Sequence, residues 1–61
     1  MKKPYPEVGQ IWKSGQQYCW VVEVEKRPQT GDWIIFCPLS NPECPLHGYV
    51  SGFMCCYEPV S

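Results

Sequence analysis

From residue 18 to residue 26 the chain reads Tyr-Cys-Trp-Val-Val-Glu-Val-Glu-Lys, and this run constrains the fold more than any other. Tyr18, Trp20, Val22 and Val24 recur every second residue, with Glu23 and Glu25 between or after them. A period of two belongs to a strand with one face covered; a helix would bring residues three and four apart together. The β-branched and aromatic content favours the same conformation. The pattern therefore predicts a strand with Tyr18, Trp20, Val22 and Val24 inward and the two glutamates in water, and it makes Trp20 the expected centre of the core.

The flanking segments extend that strand into a sheet. Ser14-Gly15-Gln16-Gln17 is a polar turn with a central glycine, so residues 8–13 form a preceding strand, with Gly9 as a kink or bulge. Residues 27–32 form a second turn by composition. Trp33-Ile34-Ile35-Phe36-Cys37 is apolar at successive positions, as expected of a strand buried on both faces and central in its sheet. Residues 38–48 carry three prolines and are expected to lack regular structure, as a long loop that something must hold down. A short strand is expected at residues 49–51. Residues 52–57 are either a strand with Phe53, Cys55 and Tyr57 inward, or one tight helical turn with Phe53, Cys56 and Tyr57 inward. Residues 1–7, with two prolines and no periodicity, are an extended arm.

A chain of 61 residues holds one domain, residues 1–61. A core of this size rarely supplies more than about 3–5 kcal/mol, so small scaffolds add a disulfide, a metal, a partner or dense aromatic packing. Nine aromatic residues spread along the chain meet that need, and each is first of all a core candidate. Lys2 and Lys3 are followed by Pro4, Tyr5, Pro6 and Glu7 where a signal peptide would turn apolar, and no apolar run spans a membrane. A cytoplasmic location is the expectation. Thiols stay reduced there, so five cysteines, an odd number, point toward metal or free thiols before disulfides.

Four or five short strands, two hairpin turns and no convincing helix give an all-β fold: a small antiparallel barrel or highly curved sheet with a long proline-rich loop. The segments VGQIWKSG, YCWVVEVE, GDWIIF and GFMCCYEPV are similar to small SH3-like barrel proteins, many of them encoded by phages and prophages. The resemblance implies a fold and a mobile-element origin, and no site residue, because such barrels serve many unrelated partners.

The residues able to carry chemistry lie within the last twenty-five residues of the chain. In Cys44-Pro45-Leu46-His47-Gly48 two ligand types stand three residues apart, proline stiffens the turn, and glycine lets backbone amides approach sulfur. With Cys37 and with Cys56 or its neighbour Cys55, this segment would complete three thiolates and one imidazole around zinc, which would anchor the loop and contribute to folding. The alternative is ordinary buried cysteines and a loop histidine. The same five residues are similar to a ligand box of Rieske iron–sulfur proteins, but such a cluster needs two histidines and the chain has one.

No catalytic grouping is apparent, and the expectation is not an enzyme. With a net charge of −1 and scattered cations there is no basic stripe to neutralise phosphates, so nucleic acid is an unfavoured ligand. The reading is a protein-interaction module, an accessory or host-modulating phage product with another protein, a host protein in that case, as partner. The alternative is a single-strand nucleic-acid module in which exposed Trp12, Trp33 or Tyr49 stacks bases. The sequence is silent on oligomeric state.

Overall fold

The structure is a computed structural model and describes residues 3–60, so the first two positions of the arm lie outside the described residues. The chain forms β1 (Ile11–Ser14), β2 (Gln17–Glu25), β3 (Trp33–Pro38), β4 (Leu46–Tyr49), α1 (Val50–Cys56) and β5 (Glu58–Pro59). The strands make one antiparallel sheet in the order β4-β3-β2-β1-β5. Thus β3 is an interior strand, as its apolar sequence requires, and β4 and β5 are edges. Among the described residues no pairing joins the two edges, and α1 carries the chain from one to the other.

The first hairpin sets the register of the whole sheet. Gly15 and Gln16 form a two-residue turn in which only Gly15 has positive φ, at 62°, a conformation that glycine adopts without steric cost. Ser14 then faces Gln17, Trp12 faces Cys19 and Ile11 faces Trp20. Directly opposed residues lie on the same side of a sheet, so Trp12 and Trp20 must occupy opposite faces.

The structure puts Trp12 inside. Trp12 is fully buried, together with Cys19, Val21, Ile34, Phe36, Val50 and Phe53, and Val24, Met54 and Tyr57 pack against them. Trp20 is half-buried on the other face, while Tyr18 and Val22 are exposed. The expected inward set of β2 is therefore wrong at Tyr18, Trp20 and Val22 and right only at Val24. The reason is a bulge. The β2–β3 register shifts between Val21 and Glu23, so Val22 is an extra residue and parity changes there. Cys19 and Val21 face the core before the bulge, and Val24 faces it after.

A second irregularity meets the same point from the other side. Glu7 to Gln10 form a turn with Gly9 at φ 89°, and Gly9 N–H donates to the Val21 carbonyl while Val21 N–H donates to Gln10. Gly9 is thus the expected kink, and regular β1 begins at Ile11 rather than residue 8. The register shift at Val22 and this turn thus meet at Val21, and irregularities of this kind increase the local twist of a strand. The turn also serves Trp12. Gln10 Oε1 accepts the Glu7 backbone N–H at 3.0 Å and the Trp12 indole N–H at 2.9 Å, so the one polar atom of the buried tryptophan is paired.

The C-terminal third differs from expectation in three ways. Residues 46–49 are strand β4, so the irregular loop shortens to residues 39–45. Of the expected strand at 49–51, Tyr49 ends β4, and Val50 and Ser51 begin α1. At residues 52–57 the helical option holds for Phe53 and Tyr57, but Cys56 is exposed. Helix α1 has no side-chain N-cap, no acidic first turn and no basic last turn, and it contains Val50 and Gly52. Local propensity does not explain it; burial does. Phe53 stacks on Tyr57 with ring centroids 4.7 Å apart and meets Phe36 at 4.8 Å and Trp12 at 5.1 Å. From the arm, Lys3 Nζ donates to the carbonyls of Met54 (2.5 Å) and Tyr57 (3.0 Å), placing a cation at a helix end that lacks one. Pro6 of the same arm is fully buried.

Trp12→Ala should destabilise the fold by about 3–5 kcal/mol, leaving little folded protein, whereas Trp20→Ala, at a half-exposed site, should cost no more than about 2 kcal/mol. Urea unfolding of both variants checks the order, and the reverse order would mean that the face assignment is inverted.

Candidate functional site

The bulge and the hairpin register together assemble an aromatic surface on the outer face of the sheet. Three cross-strand rows run over it. Ile11, Trp20 and Cys37 form the first; Glu23, Ile35 and His47 the second; Glu25, Trp33 and Tyr49 the third. Without the extra residue at Val22, Trp20 and Glu23 would lie on opposite faces. With it, two tryptophans and two glutamates share one surface. Trp20, Trp33 and Ile35 are half-buried, and Tyr49 is half-exposed.

Trp33 is the hub of this surface. Tyr49 meets it edge-on at 5.0 Å, His47 lies at 5.3 Å, and the Arg27 guanidinium carbon sits 5.0 Å from the ring centre. Arg27 is held there by Glu25 Oε2, which accepts from Nη2 at 2.7 Å and from Nε at 3.1 Å. Beside it is a second grouping of cation, ring and carboxylate. Lys26 Nζ lies 3.8 Å from the Tyr5 ring centre and 3.4 Å from Asp32, and the Tyr5 hydroxyl donates to the same carboxylate. Asp32 also accepts the Arg27 backbone N–H at 3.1 Å, while its own carbonyl accepts Val50 N–H at 2.9 Å. The arm, the β2–β3 turn and the start of α1 are thereby tied together at one residue.

Charge follows from these contacts. The Tyr5 hydroxyl and the Arg27 backbone N–H stabilise the ionised Asp32 carboxyl and hold its pKa below the ordinary 3.8, against a smaller opposing effect of desolvation. Desolvation and then the Asp32 bond raise Tyr5, and the bond to Tyr5 raises Lys26. In the core, burial pushes the Cys19 thiol up to about 11, so it is protonated and unreactive at neutral pH.

The residues expected to bind zinc are distributed over different parts of the fold. Cys37 is buried in β3, Cys44 is exposed in the loop, His47 lies in β4 beside Trp33, and Cys55 and Cys56 are exposed on the last turn of α1. His47 and Cys56 line one shallow groove of about 320 Å³, together with Phe36, Tyr49, Phe53 and Tyr57; Cys37 and Cys44 are not part of its lining. Among the described residues no group of three or more His, Cys, Asp or Glu side chains is disposed to hold a metal ion.

A second groove, of about 350 Å³, lies between Gln16, Gln17, Tyr18, Leu39 and Ser40, at the opposite end of the sheet from the Asp32 tie. No helix of the described residues is long and apolar enough to cross a membrane. No family model, curated protein or solved structure matches the chain.

The outer face was hard to see in the sequence because Trp20 alternates with the valines and reads as core. The available signal was the two-residue turn, which forces Trp12 and Trp20 apart. Nothing in the sequence marks Arg27 as the partner of Trp33 or Tyr5 as the partner of Asp32.

Two outcomes follow. Brief alkylation of the native protein should modify Cys44, Cys55 and Cys56 and spare Cys19 and Cys37 until unfolding, as read by peptide mass spectrometry. Zinc protection of Cys44 and Cys56 in the same experiment would support the four-ligand reading. The depressed Asp32 pKa means that its contribution to stability is fully present above pH 3.8 and is lost as pH falls through the lower folded value. Asp32→Asn should therefore melt below the parent at neutral pH, and the two melting temperatures should converge in acid; a constant gap across pH would remove the Asp32 tie from the account.

Proposed function

We propose that this domain is a non-enzymatic protein-interaction module that meets its partner with the outer face of the sheet. The observation that carries the reading is the placement of Trp20 and Trp33, both only partly buried and on one face of the sheet, in a chain short of core material. Burying a tryptophan stabilises a small domain more than any other residue, so leaving two of three partly in water is costly unless the surface is used. Tryptophan, tyrosine and arginine also dominate the energetics of protein interfaces. The raised pKa of Cys19 works against nucleophilic chemistry in the core.

The wider reading is an SH3-like barrel of phage or prophage origin acting on a host protein. The strand order, in which the last strand returns to pair with the first, supports the barrel; the origin and the host partner rest on the sequence resemblance. The nucleic-acid alternative loses Trp12, which is fully buried, and Trp33 and Tyr49 share their face with the carboxylate of Glu23, which has no ion-pair partner among the described residues and repels phosphate.

Proteins retained by the immobilised parent domain should be lost with Trp20→Ala, provided circular dichroism shows the variant folded. If instead Trp20→Ala retains the same proteins, and a single-stranded oligonucleotide shifts tryptophan fluorescence in a salt-dependent way, the nucleic-acid reading replaces this one.

A further inference from the structure

We infer that the outer face docks an arginine-bearing segment of the partner protein, with the guanidinium laid over Trp20 and donating to Glu23 beside Ile35. The inference rests on the interaction-module reading and adds the chemistry of the partner.

The charge on this face supports it. By strand register the outer side carries Glu23, Glu25 and Glu58 against Lys13. The basic residues at the same end are already engaged: Arg27 by Glu25 and Trp33, Lys26 by Asp32 and Tyr5. Lys3 is engaged by the carbonyls at the end of α1. Among the described residues Glu23 has no ion-pair partner, although it is exposed in the middle row of the face. Successive residues on one face of a strand are roughly 7 Å apart, so a side chain lying across Trp20 reaches the neighbouring Glu23 row.

The molecule also contains an instance of the proposed contact. Arg27 lies over Trp33 with Nη2 and Nε both on one carboxylate oxygen of Glu25. Aromatic ring, carboxylate and guanidinium are satisfied together in that row. The other two rows offer a ring and a carboxylate, from Trp20 and Glu23, and among the described residues no cation pairs with that carboxylate. Arginine fits better than lysine here because its planar, weakly hydrated head both stacks on a ring and donates to a carboxylate.

The test is an amide-resolved NMR titration with three blocked synthetic peptides of equal length, one arginine-rich, one glutamate-rich and one uncharged. The arginine-rich peptide should move the signals of Trp20, Glu23 and Ile35, with affinity falling as salt is raised to about 0.3 M. Glu23→Gln should weaken it by about tenfold, while Glu43→Gln, in the 39–45 loop, should change it less than about twofold. Equal losses in the two variants would reduce the effect to general charge attraction and overturn the inference. Shifts of the same signals by the uncharged or acidic peptide would also overturn it and leave the interaction-module reading standing. No shift with any peptide, while Trp20→Ala still abolishes partner capture, would separate the two in the same way.

Discussion

The burial of Trp12 is the contact on which the rest of this small fold depends. Its ring is the largest group in the core and touches Phe53, the residue through which α1 joins the sheet. Its indole N–H is the polar cost of that burial, met by Gln10, whose position follows from the Gly9 turn. In a chain of 61 residues no other fully buried side chain matches it in size to compensate for a misplaced tryptophan. Hairpin, arm and helix are all arranged around one side chain.

The outer face is a consequence of that choice. A two-residue turn between β1 and β2 places Trp12 and Trp20 on opposite sides, so whichever enters the core sends the other outward. The bulge at Val22 then brings Glu23 onto the same side as Trp20. An aromatic surface with carboxylates set into it is therefore produced by the same two local features that decide which side chains face the core. Fold and candidate site are not separate designs in this chain.

Much of the architecture was legible because it rests on short-range chemistry: the Gly15 turn, the Gly9 kink, the β character of β2 and the interior position of β3 all follow from residue type. Residues whose role depends on long-range contacts were not legible. Alternation across β2 identified a strand, but one extra residue reversed which side faced the core, and a bulge leaves no mark in a run of valines. Helix α1 has poor local propensity and forms because Val50 and Phe53 are buried and Lys3 supplies a cation from the far end of the chain. β4 was hidden by the prolines around it. The Cys44 to His47 spacing suggested a metal knuckle; in the structure His47 lies in β4 beside Trp33 and lines a groove with Cys56, while Cys37 and Cys44 are not in that lining.

Hydrogen exchange of the three indole N–H groups, resolved by NMR, tests the central claim most directly. Trp12 is buried and bonded to Gln10, so its indole proton should exchange only as the whole domain opens, while those of Trp20 and Trp33 exchange quickly. A protected Trp20 with a rapidly exchanging Trp12 would contradict the account, because the two faces of the sheet would then be reversed.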